Sequence, residues 1–219
     1  MKKYHYSKNL IKTGIFACIM LLLCPAAGAR AEEFSSEKDK FSLSYDSSFV
    51  PVDIKLHNVA LAVRSKTGFF PTFNVVIEAA SKMAQPSKSE MEKSMLDDYR
   101  LVGIKDVSLV SSDDTPVNSV PCFRAVLAYS MESNKMRSNV AIFTGVDRRY
   151  ILTFIDSEAG FEKSKIESAK IIESFKLRED ARPSGSPAAY SAGYLLPALA
   201  LIVVMAVLIM KFLHSRKAT

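Results

Sequence analysis

Cys122 and His57 are the residues of this 219-residue chain whose side chains could act as a nucleophile and its general base. The remaining cysteines and histidines lie near the two ends of the chain. Thiol-dependent hydrolysis would need Cys122 to be accessible and ionised, with His57 close enough to accept its proton. The strand pattern around Cys122 instead favours a small core residue, and His57 fits an ordinary position at the start of a strand. We therefore predict no catalytic residue, with a thiol-dependent enzyme using Cys122 and His57 as the alternative.

Two acidic pairs, Asp97-Asp98 and Asp113-Asp114, could suggest metal binding or acid-base chemistry. Adjacent residues on a helix point about 100 degrees apart, so Asp97 and Asp98 are predicted to occupy a solvated outer face. The segment Asp113 to Pro116 has a turn composition and lacks the alternating oxygen ligands of a calcium loop. The chain has no glycine-rich phosphate loop, no nucleophile elbow and no CxxC motif. We predict no metal and no cofactor.

A third candidate is a basic patch made by Arg148 and Arg149, with Lys135 and Arg137 nearby. It could bind lipid headgroups or an acidic partner, or it could be a solvated hairpin end that resists aggregation. A nucleic-acid partner is not expected, although the formal net charge is +6. The excess positive charge lies at the two ends, because residues 32–210 hold 21 bases against 23 acids.

The first 31 residues have the three-part composition of a secretory signal: a basic start, an apolar run from Ile15 to Cys24, and then small residues. We predict cleavage after Ala31, with cleavage after Ala29 as the alternative. An uncleaved anchor would need a longer run to cross roughly 30 Å of hydrocarbon. Lipidation of the cysteine that ends this run would need a smaller residue than Leu23 before it.

Residues 192–213 are predicted to form one transmembrane helix, because Ala192 to Met210 is a long apolar run without a charge. The residues after it are basic, so the positive-inside rule places the tail, 214–219, in the cytoplasm. The preceding domain, 32–177, is then expected on the extracytoplasmic face, periplasmic or outer. Residues 178–191 are rich in Pro, Ser and Gly and are predicted to be a linker.

The domain itself is predicted to have the element order β-β-β-α-β-β-β-β-α. Ser87 and Glu90 form the sequence signature of a capping box before the first helix. Two apolar runs, Val140 to Val146 and Tyr150 to Ile155, predict a central hairpin whose strands are covered on both faces. The last helix is expected to bury a stripe of residues spaced by three, comprising Ile166, Ala169, Ile172 and Phe175. This pattern indicates an α+β fold, with two helices on an antiparallel sheet of about six or seven strands.

The chain resembles the PsbP-like and DcrB-like superfamily of exported α+β domains. Four landmarks carry the resemblance: Phe41 to Tyr45, Phe73 to Ile77, Arg149 to Phe154, and Ile171 to Phe175. Members of this superfamily commonly bind other proteins, and none of the landmarks is catalytic. The resemblance implies a non-catalytic binding domain, and the carboxy-terminal span departs from the family pattern.

Together these features predict a membrane-anchored extracytoplasmic domain that acts through contacts with another envelope protein. A ligand-sensing ectodomain is a further alternative, although the six residues after Leu213 leave little room for an output domain.

Overall fold

Ten strands, two α-helices and one 3₁₀ helix are present in the part of the chain that the computed structural model describes, residues 31–80, 86–101, 103–104, 106–131 and 133–183. In chain order they are β1 (Ala31–Ser36), β2 (Phe41–Asp46), β3 (Phe49–Pro51), β4 (Val59–Ser65), β5 (Thr72–Ala79), α1 (Lys88–Leu101), β6 (Ser108–Asp113), β7 (Cys122–Met131), β8 (Asn134–Thr144), β9 (Arg148–Ser157), α2 (Glu158–Ser174), β10 (Lys176–Leu177) and the 3₁₀ helix Glu179–Ala181.

Seven of these strands form one antiparallel sheet in the order β3-β4-β5-β9-β8-β7-β6. The predicted α+β class and the seven-stranded antiparallel sheet with two helices are confirmed. The predicted central hairpin is also present, since β8 and β9 pair from Arg149–Thr144 to Ser157–Met136 and β9 lies at the middle of the sheet.

Both faces of the sheet are covered, as the alternation in β9 predicts. Tyr150, Leu152 and Phe154 belong to a core beneath α2, which we call the α2-side core. Ile151 and Ile155 belong to a second core beneath α1, the α1-side core. Because successive strand residues point to opposite faces, one strand contributes to both layers.

Helix α1 begins at the capping box that the sequence predicts. The backbone N–H of Ser87 donates to Glu90 Oε2 at 2.7 Å, and the N–H of Glu90 donates to Ser87 Oγ at 3.3 Å. These two bonds satisfy backbone donors that a helix start leaves open. The helix buries Met91, Met95 and Tyr99 against the sheet.

Helix α2 buries a different stripe from the predicted one. Its buried residues are Phe161, Ser164, Ser168, Ile171 and Ile172, followed by Phe175 at the carboxy-terminal cap. Ile166 was predicted to be buried, but 62% of its surface is exposed. The face of α2 that packs on the sheet is therefore rotated about the helix axis relative to the predicted stripe. The first residue of that stripe, Ile166, is exposed instead of packed.

A second sheet of three strands, in the order β1-β2-β10, was not predicted. It contributes Phe41 and Leu43 to the α2-side core. The chain after β10 is also packed, since Ala181 is buried and its carbonyl accepts a hydrogen bond from the Val146 N–H at 3.2 Å. The first residues of the predicted linker, which begins at Arg178, thus belong to the folded domain.

No helix among the described residues is long and apolar enough to span a membrane. The predicted transmembrane segment 192–213, the tail 214–219, residues 184–191 of the predicted linker and residues 1–30 of the predicted signal lie outside the described residues.

Candidate functional site

Cys122 is a core residue and not an exposed nucleophile. It opens strand β7, its side chain lies in the α2-side core, and 4% of its surface is exposed. Burial raises the pKa of the Cys122 thiol to about 12, and the positive charge of Arg124 only partly offsets this effect. Since the thiolate is the reactive form, Cys122 is unreactive near neutral pH.

His57 lies far from Cys122 across the sheet. It precedes β4 in an exposed turn, and its neighbours Leu56 and Val59 pack on the α1 side of the sheet. Strand register connects Val59 to Phe123 through β5, β9 and β8, which is four inter-strand steps. At about 4.8 Å per step, the separation is roughly 19 Å. The alternative of a Cys122–His57 enzyme is therefore wrong for this fold, because the two side chains cannot form a hydrogen bond.

The pair Asp97-Asp98 does not form a joint site. Asp97 is exposed and forms a 3.0 Å ion pair with Arg100 on the next helical turn. Asp98 was predicted to be solvated, but it is half-buried, and burial, with a smaller effect of Asp97, raises its pKa to about 6.

Glu78 is a titratable residue that the sequence did not single out. It lies on β5 directly opposite Arg149 of β9. Burial raises the pKa of Glu78 to about 7, the charge of Arg149 lowers it, and that of Asp98 raises it further. Only the placement of β5 under the α1 layer makes this carboxyl unusual, so local sequence carried no signal for it.

The predicted basic patch is not assembled. Arg148 forms a 3.0 Å ion pair with Asp39, whereas Arg149 is buried and follows it on the opposite face of β9. Arg137 pairs with Glu158 and Glu162 of α2, at 3.4 and 3.3 Å. These ion pairs offset the charges of Arg148 and Arg137, while Lys135 of β8 is exposed.

A groove of about 160 Å³ lies between α2 and strands β6, β7 and β8. We call it the α2 groove. It is lined by Ser111, Asp113, Arg124, Ala125, Val126, Asn139, Ala169 and Ile172.

An ion pair organises the floor of the α2 groove. Arg124 of β7 donates to Asp113 Oδ1 of β6 through Nε at 2.9 Å and through its terminal nitrogen at 2.8 Å. Burial raises the pKa of Asp113, but the hydrogen bonds from Arg124 and Thr115 outweigh it and hold that pKa below its ordinary value. Asp113 ends strand β6, and the backbone N–H of Thr115 donates to Asp113 Oδ1 at 3.2 Å where the sequence predicts a turn. Among the described residues, no cluster of His, Cys, Asp and Glu is placed to hold a metal ion.

The wall of the α2 groove is one side of α2, at the margin of its contact with the sheet. The half-buried Ala169 and the buried Ile172 line it, and the exposed Ile166 lies one helical turn before Ala169, outside the groove lining. The groove is far smaller than the roughly 300–1,000 Å³ of typical small-molecule pockets. It has the size of a site for one or two side chains of another protein.

Comparison with known proteins identifies the fold. No family model and no curated protein matches the chain. Among solved structures, the chain is similar to the PsbP protein (CyanoP) of Synechocystis sp. PCC 6803, with a TM-score of 0.59 and 14% sequence identity over 70% of this chain and 96% of that one. It is also similar to LpqN of Mycobacterium tuberculosis, a protein involved in cell envelope biogenesis, with a TM-score of 0.50 and 7% identity over 68% of this chain and 92% of that one.

These similarities show that the chain has the PsbP-like fold, which confirms the predicted resemblance. At such low identity they establish the fold and not the activity.

Proposed function

We propose that this protein is a membrane-anchored extracytoplasmic binding domain without catalytic activity, and that it contacts another envelope protein through the α2 groove. The observation that carries the proposal is the open groove between α2 and strands β6 to β8, whose floor carries the ion pair of Arg124 and Asp113, with the exposed Ile166 one helical turn before Ala169.

The chemistry of the groove favours a protein partner over a small substrate. Its floor offers the paired Arg124 and Asp113 and the half-buried Val126, while its wall is the apolar side of α2. Such a mixture of apolar and polar groups is compatible with a protein interface, which as a whole is about as apolar as the rest of a protein surface. The side chain of Asn139 is already engaged, since its Nδ2 donates to Ser168 Oγ at 2.9 Å.

The setting of the proposal comes from the sequence and from one relative of the fold. The predicted signal and the apolar run from Ala192 to Met210 support export and anchoring. LpqN is involved in cell envelope biogenesis, and an envelope location is what we propose for this chain. The charge-mixed domain gives no support for a nucleic-acid partner.

Site-specific photocross-linking in intact cells tests the binding surface. The change Ile166→p-benzoylphenylalanine in the full chain should give a discrete cross-linked band with a second protein. Leu101 is the matched control, because it is 74% exposed at the end of α1, which covers the other face of the sheet. Equal products from both positions would contradict the proposal.

A groove-blocking variant sharpens this test. Ala169→Arg places a long charged side chain in the groove and should remove the Ile166 cross-link. Lys170→Arg changes the exposed neighbouring residue and should keep it. Persistence of the cross-link in the Ala169 variant would show that the partner binds elsewhere.

Protease protection tests the anchor independently. Protease added outside the membrane should degrade the domain and leave a protected fragment that begins near Tyr194. The mature chain should also remain in the membrane after alkaline carbonate washing. Release by carbonate, or full protection of the domain in permeabilised cells, would refute this topology.

A further inference from the structure

The turn between β8 and β9 exposes a large apolar side chain at one end of the sheet. Val146 lies in this turn, and 56% of its surface is exposed. The turn is closed by the backbone N–H of Gly145, which donates to the Arg148 carbonyl at 2.8 Å. Val146 is therefore held in a defined position while most of its apolar surface stays available for contact with another body.

The described part of the domain also ends beside this turn. The Ala181 carbonyl accepts the Val146 N–H at 3.2 Å, and Ala181 itself is buried. A Cβ atom at Gly145 would lie only 3.0 Å from that carbonyl oxygen, so the two segments are tightly packed. The backbone N–H of Arg178 further donates to the Lys40 carbonyl at 3.0 Å. We call this end of the sheet, made by residues 37–40, 145–148 and 178–182, the exit end.

The length of the chain limits the distance between the exit end and the predicted transmembrane segment. Residues 184–191 separate Pro183, the last described residue, from residues 192–213. The nine steps from 183 to 192 span at most about 32 Å when fully extended. Strand β9 has ten residues, or about 33 Å at 3.3 Å per residue. The tether therefore holds the exit end near the bilayer, whereas the opposite end of the sheet can lie up to about 33 Å farther away.

The charges at the exit end are balanced. Acids and bases are equal in number in each charged segment, which are residues 37–40, 147–148 and 178–182. The ion pairs between these segments are Arg148–Asp39, Lys40–Asp180 and Arg178–Glu37. A surface without net charge neither repels lipid headgroups nor selects anionic ones.

We infer that the exit end rests on the headgroup region of the bilayer, with Val146 as the side chain that enters it. This inference rests on the proposed membrane anchor. The tether keeps the exit end at a high effective concentration next to the lipid, so a weak contact by one apolar side chain becomes populated. The contact needs no particular lipid charge, because the exit end has none.

This arrangement leaves the α2 groove open to a partner. Asn139 of the groove lies opposite Phe154, which is six residues along β9 from Arg148. At about 3.3 Å per residue, the groove is roughly 20 Å from the exit end. A protein can therefore bind in the groove while Val146 contacts the lipid.

Fluorescence quenching by labelled lipids tests this contact in the full chain. Val146→Cys is made in a background in which the natural cysteines are replaced by alanine, and the new thiol carries an environment-sensitive dye. The chain is reconstituted into phosphatidylcholine liposomes with and without a headgroup spin label in both leaflets. We expect the spin label to remove most of the fluorescence at position 146.

Leu101→Cys is the matched control, because Leu101 is 74% exposed near the opposite end of the sheet. Two residues before it, the Tyr99 hydroxyl lies 3.2 Å from Ser138 Oγ, and Ser138 is opposite Ile155 in β9. That level is seven residues along β9 from Arg148, or roughly 23 Å. The spin label should therefore leave the fluorescence at position 101 almost unchanged.

Flotation of the same liposomes separates the two ways in which the experiment can fail. If the chain floats with the liposomes but the dye is quenched equally at both positions, more strongly at Leu101 or at neither, the inference is overturned and the anchor stands. Quenching at Val146 that requires added phosphatidylglycerol would also overturn it, because the contact would then depend on lipid charge. A chain that does not float with the liposomes would refute the proposed anchor and the inference together.

Discussion

Thiol labelling of Cys122 gives the most direct check on the non-catalytic interpretation. The fragment Glu32–Arg182 contains Cys122 as its sole cysteine, so a chromogenic disulfide reagent reports on one thiol. The experiment compares the labelling rate of Cys122 in the native fragment with its labelling rate in the denatured fragment. Folding is the only difference between the two samples.

The expected difference in labelling rate follows from two ways in which Cys122 can become a reactive thiolate. The first is ionisation of the thiol within the native state. In the native state the pKa of Cys122 is raised from 9.0 to about 12, so the ionised fraction near pH 8 falls by about 1,000-fold. The second route is global unfolding. At a stability of about 5 kcal/mol or more, the unfolded fraction is roughly one in 5,000 or less. Both routes predict labelling at least about 1,000-fold slower than in denaturant.

The positive control is Ile166→Cys in a Cys122→Ala background, which places a thiol at a position that is 62% exposed. It should be labelled at a rate close to that of the denatured fragment. If native Cys122 reacted within about tenfold of this control, the burial and the raised pKa would both be wrong, and a thiol-dependent activity would again need to be considered.

Three further outcomes are expected. Phe175→Ala should lower the free energy of unfolding by about 3 to 5 kcal/mol in urea titrations, because the Phe175 ring is fully buried and stacks on Phe143 with the ring centroids 4.1 Å apart. As a control, Ile166→Ala should change the free energy of unfolding by less than about 0.5 kcal/mol. The pKa of Glu78 is about 7 in the folded state, against an ordinary value of 4.5. Between these two pH values the folded protein keeps a proton that the unfolded chain has lost. The free energy of unfolding should therefore fall by on the order of 2 to 3 kcal/mol as the pH rises from 4.5 to about 7. Glu78→Gln should flatten that slope in unfolding curves measured at several pH values, and an unchanged slope would assign it to other groups. The fragment Glu32–Arg182 should be a soluble, folded monomer in sedimentation and circular dichroism, whereas aggregation would show that the domain depends on its anchor or partner.

Local periodicity was sufficient to predict much of the fold. The alternation in Tyr150 to Ile155 requires a strand with two apolar faces, and the structure covers both. The capping box at Ser87 and the break before β9 are likewise short-range signals, since their hydrogen bonds join residues a few positions apart.

The three-stranded sheet could not be predicted in the same way. Strand β1 has an exposed pattern, and β10 has only two residues. Both exist because β2 lies between them and pairs with each, as with Lys176 and Ser42. The β1–β2 pairing is a local hairpin that begins at Ser36 and Phe41, whereas the β2–β10 pairing spans most of the domain and depends on where the chain returns.

The candidate site was decided by tertiary structure for the same reason. The spacing of Ile166, Ala169 and Ile172 defines one side of a helix, but the crossing of α2 over the sheet determines which part of that side is covered. This crossing buries Ile172, places Ala169 in the wall of the α2 groove and leaves Ile166 exposed. Likewise, the residue types of Cys122 and His57 permit thiol chemistry, but strand order places three strands between β4 and β7. Sequence determines which side chains are available and which face of an element they occupy, while the long-range pairing of strands determines which of them meet.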